Sequence, residues 1–152
     1  MVVRGSASVV VNRSPDVVFA AISDITRTGE WSPECVAGRW LDGATGPAVG
    51  AKFEGDNKAV VAGFTLKKWT TTSVVTACVP GALFEFVAED YTTWRYELEP
   101  TGEGTTVTET YSYTSHAGVK TFVYEAALRR PAAMIKGMQQ TLDRIKGSLE
   151  AQ

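Results

Sequence analysis

Residues Thr92 to Thr114 read TTWRYELEPTGEGTTVTETYSYT, and the alternation in this stretch decides the fold. Trp94, Tyr96 and Leu98 alternate with Arg95, Glu97 and Glu99, so a strand here turns an apolar set to one face and a charged set, Arg95 included, to the other. Pro100-Thr101-Gly102-Glu103-Gly104 carries the chemistry of a tight reversal. The partner strand, Thr105 to Thr114, then alternates in its turn. Val107, Glu109, Tyr111 and Tyr113 share the face of Trp94, Tyr96 and Leu98, while Thr106, Thr108, Thr110 and Ser112 lie outside. A hairpin with one apolar and one wet face predicts an antiparallel sheet covered on a single side.

Moving upstream, Val36 to Leu41, Ala51 to Asp56, Lys68 to Ala77 and Leu83 to Ala88 are further strands separated by Gly, Pro, Asn and Asp, giving five or six strands in a meander. Phe84 and Phe86 alternate with Glu85. Nearer the N-terminus, Ser6 to Val11 reads as a short strand. Ser14-Pro15-Asp16 is a helix start, with an N-cap, a proline where its missing N–H costs nothing, and an acid at the positive end of the dipole. Val18, Phe19 and Ile22 give that helix one apolar face to about Ser23, and Asp24 to Cys35 reads as a second short helix and a turn. Downstream, Ile135, Met138, Leu142, Ile145 and Leu149 recur at spacings of three and four, predicting an amphipathic helix from Ala132 onward whose first four stripe residues face the strands. Pro131 opens this helix or kinks a longer one that begins near Val119.

The order strand, two short helices, antiparallel strands and one long helix resembles the START-like helix-grip superfamily, specifically the bacterial SRPBCC, or polyketide cyclase/dehydrase and lipid transport, proteins. The residues that carry the resemblance are Ser14-Pro15-Asp16-Val17-Val18-Phe19, Asp24 through Trp31-Ser32-Pro33, Trp94 through Pro100, Gly104 through Glu109, and Gly137 through Lys146. It spans nearly the whole chain and implies an α+β helix-grip domain over 1–152, with a curved sheet around the C-terminal helix and a cavity between them. It does not imply one chemistry, because the fold serves carriers, cyclases, sensors and regulators.

The expected cavity lining is Phe84, Phe86, Trp94, Tyr96, Val107, Glu109 and Tyr111 from the strands, with Met134 and Met138 from the helix. Trp31 is expected to pack a lid or the end of the domain. Glu109 is the only acid among the inward residues: it serves as a polar anchor or general base, or it sits solvated at an open rim, or a one-residue slip turns it outward. Three functions compete. The first is noncatalytic binding of a small hydrophobic ligand such as a lipid, polyketide or aromatic. The second is a polyketide aromatase/cyclase or dehydratase using Glu109, Tyr111, Tyr113 and, if it turned inward, Arg95. The third is a regulatory interaction domain with an incidental cavity.

Composition narrows the partners. The 152 residues carry a net charge of -2, with 44% hydrophobic and 21% charged residues, as in an ordinary globular chain. No basic stripe exists to grip a phosphate backbone, so no nucleic-acid partner is expected. Nor is membrane insertion, since no apolar run approaches about 20 residues. The N-terminus lacks a secretion pattern, which makes a cytoplasmic location the expectation, as a monomer or weak homodimer. Cys35 and Cys78 read as two buried small hydrophobes, and the single histidine, His116, falls in a turn, so no cofactor or metal is expected. Elemental analysis of the purified protein is expected to find no stoichiometric metal.

Overall fold

A computed structural model describes residues 2–102, 104–114 and 130–152. Seven strands, β1 (Val2–Val11), β2 (Cys35–Trp40), β3 (Lys52–Val61), β4 (Phe64–Val79), β5 (Leu83–Ala88), β6 (Thr92–Thr101) and β7 (Gly104–Thr114), form one antiparallel sheet in the order β1-β7-β6-β5-β4-β3-β2. Helix α1 (Pro15–Ser23) and a 3-10 helix (Ile25–Glu30) link the two edge strands, and helix α2 (Arg130–Glu150) ends the chain. Register shifts between Cys35 and Ala37, Ala59 and Val60, and Val75 and Ala77 mark bulges, which add twist and bend to a sheet. The architecture is the α+β helix-grip arrangement that the alternation and the closing amphipathic stripe require.

Local chemistry starts each helix. The Ser14 hydroxyl accepts from the Val17 N–H at 3.4 Å with Pro15 in the first turn, and the Asp24 carboxylate accepts from the N–H of Thr26 at 3.1 Å to open the 3-10 helix. That helix lies close over β2 because Gly38 has no side chain: a Cβ there would stand 2.3 Å from the Ile25 carbonyl oxygen. At the other end of the chain, the Arg13 guanidinium donates to the carbonyls of Glu150 at 3.0 Å and Gln152 at 2.7 Å, satisfying acceptors that a helix C-terminus leaves open. Lys146 donates to the Val10 carbonyl at 2.7 Å, and α2 is thereby tied alongside β1.

The core fills one end of the space between sheet and helices. Val11, Val18, Leu98, Val107, Leu142, Ile145 and Leu149 are all buried there. β7 sets the pattern, with Thr105, Val107, Glu109, Tyr111 and Tyr113 all buried and the intervening residues half-buried. The register pairs Leu98 with Val107, Tyr96 with Glu109 and Trp94 with Tyr111 on the inner face, leaving Arg95 outside with Glu85 at 2.8 Å and Glu97 at 2.5 Å.

Several expectations are corrected. β1 begins at Val2 rather than Ser6, and β3 and β4 run on past Asp56 and back before Lys68 to a turn at Ala62-Gly63. Ile135, expected to face the strands with Met138, Leu142 and Ile145, is 40% exposed, whereas those three are buried. The stripe is centred on Met138, Thr141 and Ile145; Ile135 lies on its flank, at the end of α2 that borders open space rather than packed strands. Cys35 and Cys78 are free and only half-buried. The proposed helix start near Val119 and the turn holding His116 lie outside the described residues.

The fully buried Tyr111 ring lies directly over Gly5, its cross-strand partner on β1: a Cβ at Gly5 would stand 2.3 Å from a ring carbon. Neither the ring, packed between Trp94 and Tyr113, nor the paired β1 backbone has room to yield. Gly5→Ala is therefore expected to destabilise the fold by roughly 1–3 kcal/mol, the range for overpacking a filled site, in urea denaturation.

Candidate functional site

A cavity of about 640 Å³ lies between the curved sheet and the C-terminal helix, bounded by the inner face of β2 to β7, Ile22 of α1, the 3-10 helix and α2 from Ala133 to Ile145. Phe53, Phe84 and Phe86 line it as the middle of a run of aromatic rings that continues into the packed interior through Trp40 on one side and Phe19 on the other. Trp40 meets Phe53 at 5.6 Å between ring centres, Phe53 meets Phe86 at 5.0 Å, Phe86 meets Phe84 at 5.8 Å and Phe84 meets Phe19 at 6.4 Å. The close pairs are mostly edge-to-face, the geometry the ring quadrupoles favour. The five rings come from four elements, Trp40 from β2, Phe53 from β3, Phe84 and Phe86 from β5 and Phe19 from α1, and it is the shared inward phase of β2, β3 and β5 that lines them up.

One carboxyl group is set deep in this wall. Glu109 is 3% exposed and borders the cavity. Its Oε1 accepts a hydrogen bond from the Tyr96 hydroxyl at 2.8 Å, and its Oε2 has no partner among the described residues. Burial pushes the Glu109 carboxyl up to about 8, and the hydrogen bond from Tyr96 only partly opposes that. The Tyr96 phenol is held well above its ordinary value, by burial first and then by the neighbouring Glu109. At neutral pH Glu109 is mostly a neutral carboxylic acid. With Oε1 committed as an acceptor, its proton belongs on Oε2, where it is a hydrogen-bond donor without an acceptor among the described residues.

The nine residues expected to line the cavity divide. Phe84, Phe86, Trp94, Tyr96, Glu109, Met134 and Met138 border it; Val107 and Tyr111 do not. Both are fully buried, Val107 opposite Leu98 in the packed core and Tyr111 behind Trp94 with ring centres 5.9 Å apart. Tyr113 stacks beyond Tyr111 and against Tyr91, away from Glu109. The weak catalytic set Glu109, Tyr111 and Tyr113 is thus not assembled around the cavity; the tyrosine beside Glu109 is Tyr96.

Other lining residues were not anticipated. Trp31, buried beneath the Arg27 guanidinium at 4.9 Å, forms part of the wall rather than only closing the domain end. Cys35 also borders the cavity, with burial raising its thiol. Phe53, Asn57, Trp69, Thr71 and Ser73 come from the β3–β4 pair. The alternation Trp69, Thr71, Ser73, Val75 is present in the sequence as a signal, but two of its four members, Thr71 and Ser73, are small and polar and blur the apolar face. Among the described residues no cluster of three or more His, Cys, Asp or Glu side chains is placed to hold a metal ion.

Comparison with known proteins is consistent with this fold. The model of the family described as polyketide cyclase / dehydrase and lipid transport matches residues 2–150. A polyketide-cyclase-like protein of Corynebacterium glutamicum is 35% identical, with a TM-score of 0.68 over 99% of this chain and 93% of the other. An AHSA1-like protein of Aeromonas hydrophila shares the fold at 21% identity and a TM-score of 0.67, over 98% of this chain and 93% of the other. The di-domain ARO/CYC protein StfQ of the steffimycin biosynthetic pathway does so at 17% identity and a TM-score of 0.71, over 97% of this chain and 50% of the other. No curated protein matches the chain.

The raised Glu109 carboxyl links stability to pH. Unfolded, it ionises near its ordinary value of 4.5; folded, it holds its proton to about 8. Its contribution is therefore complete below the unfolded value, declines as pH rises through that window, and levels off above it. Glu109→Gln removes this slope. The stability difference between the variant and the parent, from urea denaturation at several pH values, is expected to move in favour of Glu109→Gln by a few kcal/mol at most across the window. A difference independent of pH would show that the carboxyl is not held neutral.

Proposed function

The chain belongs to the polyketide cyclase/dehydrase and lipid transport family, and on that premise we propose that it binds a small, largely apolar molecule carrying an oxygen acceptor, held between the sheet and α2. The observation that carries this reading is the Oε2 of buried Glu109 at the cavity wall, which has no partner among the described residues. A buried polar group without a partner costs roughly 1–3 kcal/mol, and a ligand carbonyl or hydroxyl oxygen placed against Oε2 removes that cost. The cavity volume falls within the range of about 300–1,000 Å³ usual for small-molecule sites, and its aromatic wall, beside a border that also carries Asn57, Thr71, Ser73 and Thr141, favours a ligand with a flat apolar body and some polar substituents.

In this reading Phe84, Phe86, Trp94, Met134 and Met138 supply contact area, with the methionines adapting to ligand shape, and Glu109 sets orientation. Tyr96 holds Glu109 in place and fixes which oxygen donates. Val107 and Tyr111 act from behind, keeping β7 and the Trp94 ring in position. A second reading, a cyclase or dehydratase, is favoured by the same neutral carboxyl. An acid held near 8 is suited to giving a proton to a ketone oxygen or to a departing hydroxyl, and to taking one back afterwards. Its agents are then Glu109 and Tyr96.

Acenaphthenone and its parent hydrocarbon acenaphthene are a pair of probes that differ by one carbonyl. The protein is expected to prefer the ketone by roughly tenfold near neutral pH, the worth of one hydrogen bond that fills an unpaired site, and to lose that preference as pH rises past about 8. Glu109→Gln, whose amide still donates, should keep the preference without the pH dependence. Trp94→Ala should weaken both probes by roughly 1–3 kcal/mol. Equal binding of the two probes at all pH values would remove Glu109 from the site. A Glu109→Gln variant that still binds but loses a measurable turnover would establish the enzymatic reading instead.

A further inference from the structure

The most exposed large hydrophobic side chain among the described residues is Phe64, at 74%. It begins β4 at the tip of the β3–β4 ribbon, beside Leu66 at 68% and Val60 at 47%. The tip turns through Ala62 and Gly63, both at positive φ (52° and 83°). Such a two-residue turn favours Asn or Asp at its first position, because short polar side chains tolerate that backbone. Ala62 keeps the strained conformation and supplies no polar group, so the apolar run Ala59-Val60-Val61-Ala62-Gly63-Phe64 is unbroken at the point farthest along the ribbon.

Charge at the tip runs against that of the protein. From Asn57 to Thr70 the chain carries Lys58, Lys67 and Lys68 and no acid, in a protein of net charge -2. The nearest acid along the chain, Asp56, is neutralised by Arg39 at 2.9 Å; across the sheet, Glu34 flanks Lys58, whose backbone N–H donates to the Glu34 carbonyl at 3.0 Å, so the unopposed charge at the tip is chiefly that of Lys67 and Lys68. Lys58 and Lys68 are direct cross-strand partners, a like-charge pair that costs stability unless something anionic meets it. At about 3.3 Å per residue, Lys67 and Lys68 lie roughly 10–13 Å behind Phe64 along the strand. That is headgroup level for an apolar tip sunk about 5–10 Å into a bilayer.

We propose that the β3–β4 tip is a docking point for an anionic lipid surface, with Val60, Phe64 and Leu66 entering the interface and Lys58, Lys67 and Lys68 meeting lipid phosphates. A protein partner is a poorer fit, because a narrow convex tip offers far less than the roughly 800 Å² per side of a stable protein interface, whereas a bilayer requires no matching concave surface. No helix of the described residues is long and apolar enough to cross a membrane, so the contact is peripheral. The same strand continues into Trp69, Thr70 and Thr71, which border the cavity. Docking thus brings the cavity wall to the lipid surface, and, if the ligand-binding reading holds, gives an apolar ligand a route between bilayer and cavity.

The test is co-sedimentation of the full chain with vesicles of phosphatidylcholine alone and of phosphatidylcholine with phosphatidylglycerol. Expected are binding to the anionic vesicles only, its reversal by high salt, and a loss of roughly tenfold or more in Phe64→Ser/Leu66→Ser and in Lys67→Glu/Lys68→Glu. Acenaphthenone binding should be unchanged in both variants, which also shows that they fold. Failure of the parent protein to bind anionic vesicles overturns the proposal, as does binding that survives both double substitutions. Tip-dependent dimerisation, or tip-dependent capture of an acidic protein, without vesicle binding would assign the surface to that partner instead. Vesicle binding with no acenaphthenone binding would leave the docking proposal standing and remove the ligand reading.

Discussion

The inward phase of β7 is the constraint on which the rest depends. Thr105, Val107, Glu109, Tyr111 and Tyr113 occupy one face of a single strand with neighbours on both sides, β1 and β6. A shift of one residue would expose two tyrosines and a valine and bury a row of threonines, so the register is fixed by the apolar members. Glu109 is carried inside with them. Its burial is a consequence of where its neighbours must go, and the Tyr96 hydroxyl opposite it makes that position tolerable without making it fully satisfied.

Packing divides the interior into two regions. At one end the aliphatic residues of β1, β6, β7 and α2 close against one another around Val107 and Leu142. Toward the start of α2 the bulged sheet bends away from a straight helix, and bulky rings line the gap without bridging it. Tyr111 sits at the boundary, wedged over Gly5 and behind Trp94, and transmits the tight packing of one region to the wall of the other. The result is an aromatic surface with one buried acid set into it.

Much of the fold was legible in the sequence. The 92–114 hairpin, the Ser14-Pro15-Asp16 helix start and the three-four stripe of the last helix are local signals, each readable from neighbours in the chain. The β3–β4 ribbon is longer than the sequence reading because its outer half has no buried face: Ala59 to Phe64 form an apolar run through a turn, and the alternation of Phe64 and Leu66 with Thr65 and Lys67 is too short to mark a strand. Ile135 was placed with the core because a helical period identifies a stripe but not where along that stripe the opposing sheet falls away.

Alternation and helix period alone determined the order of the elements, the inward phase of β5, β6 and β7, and the presence of Glu109 among inward residues. Only the tertiary structure decided which inward residues meet each other and which meet open space. Val107 and Tyr111 share a face with Glu109, yet they are covered by residues from β1, β6 and α2, while Glu109 borders the cavity. It also decided the protonation of that acid, through desolvation by elements distant in sequence. The physical reason is one of range: a side chain's direction follows from the backbone geometry of its own strand, but its burial and its charge follow from everything that packs around it.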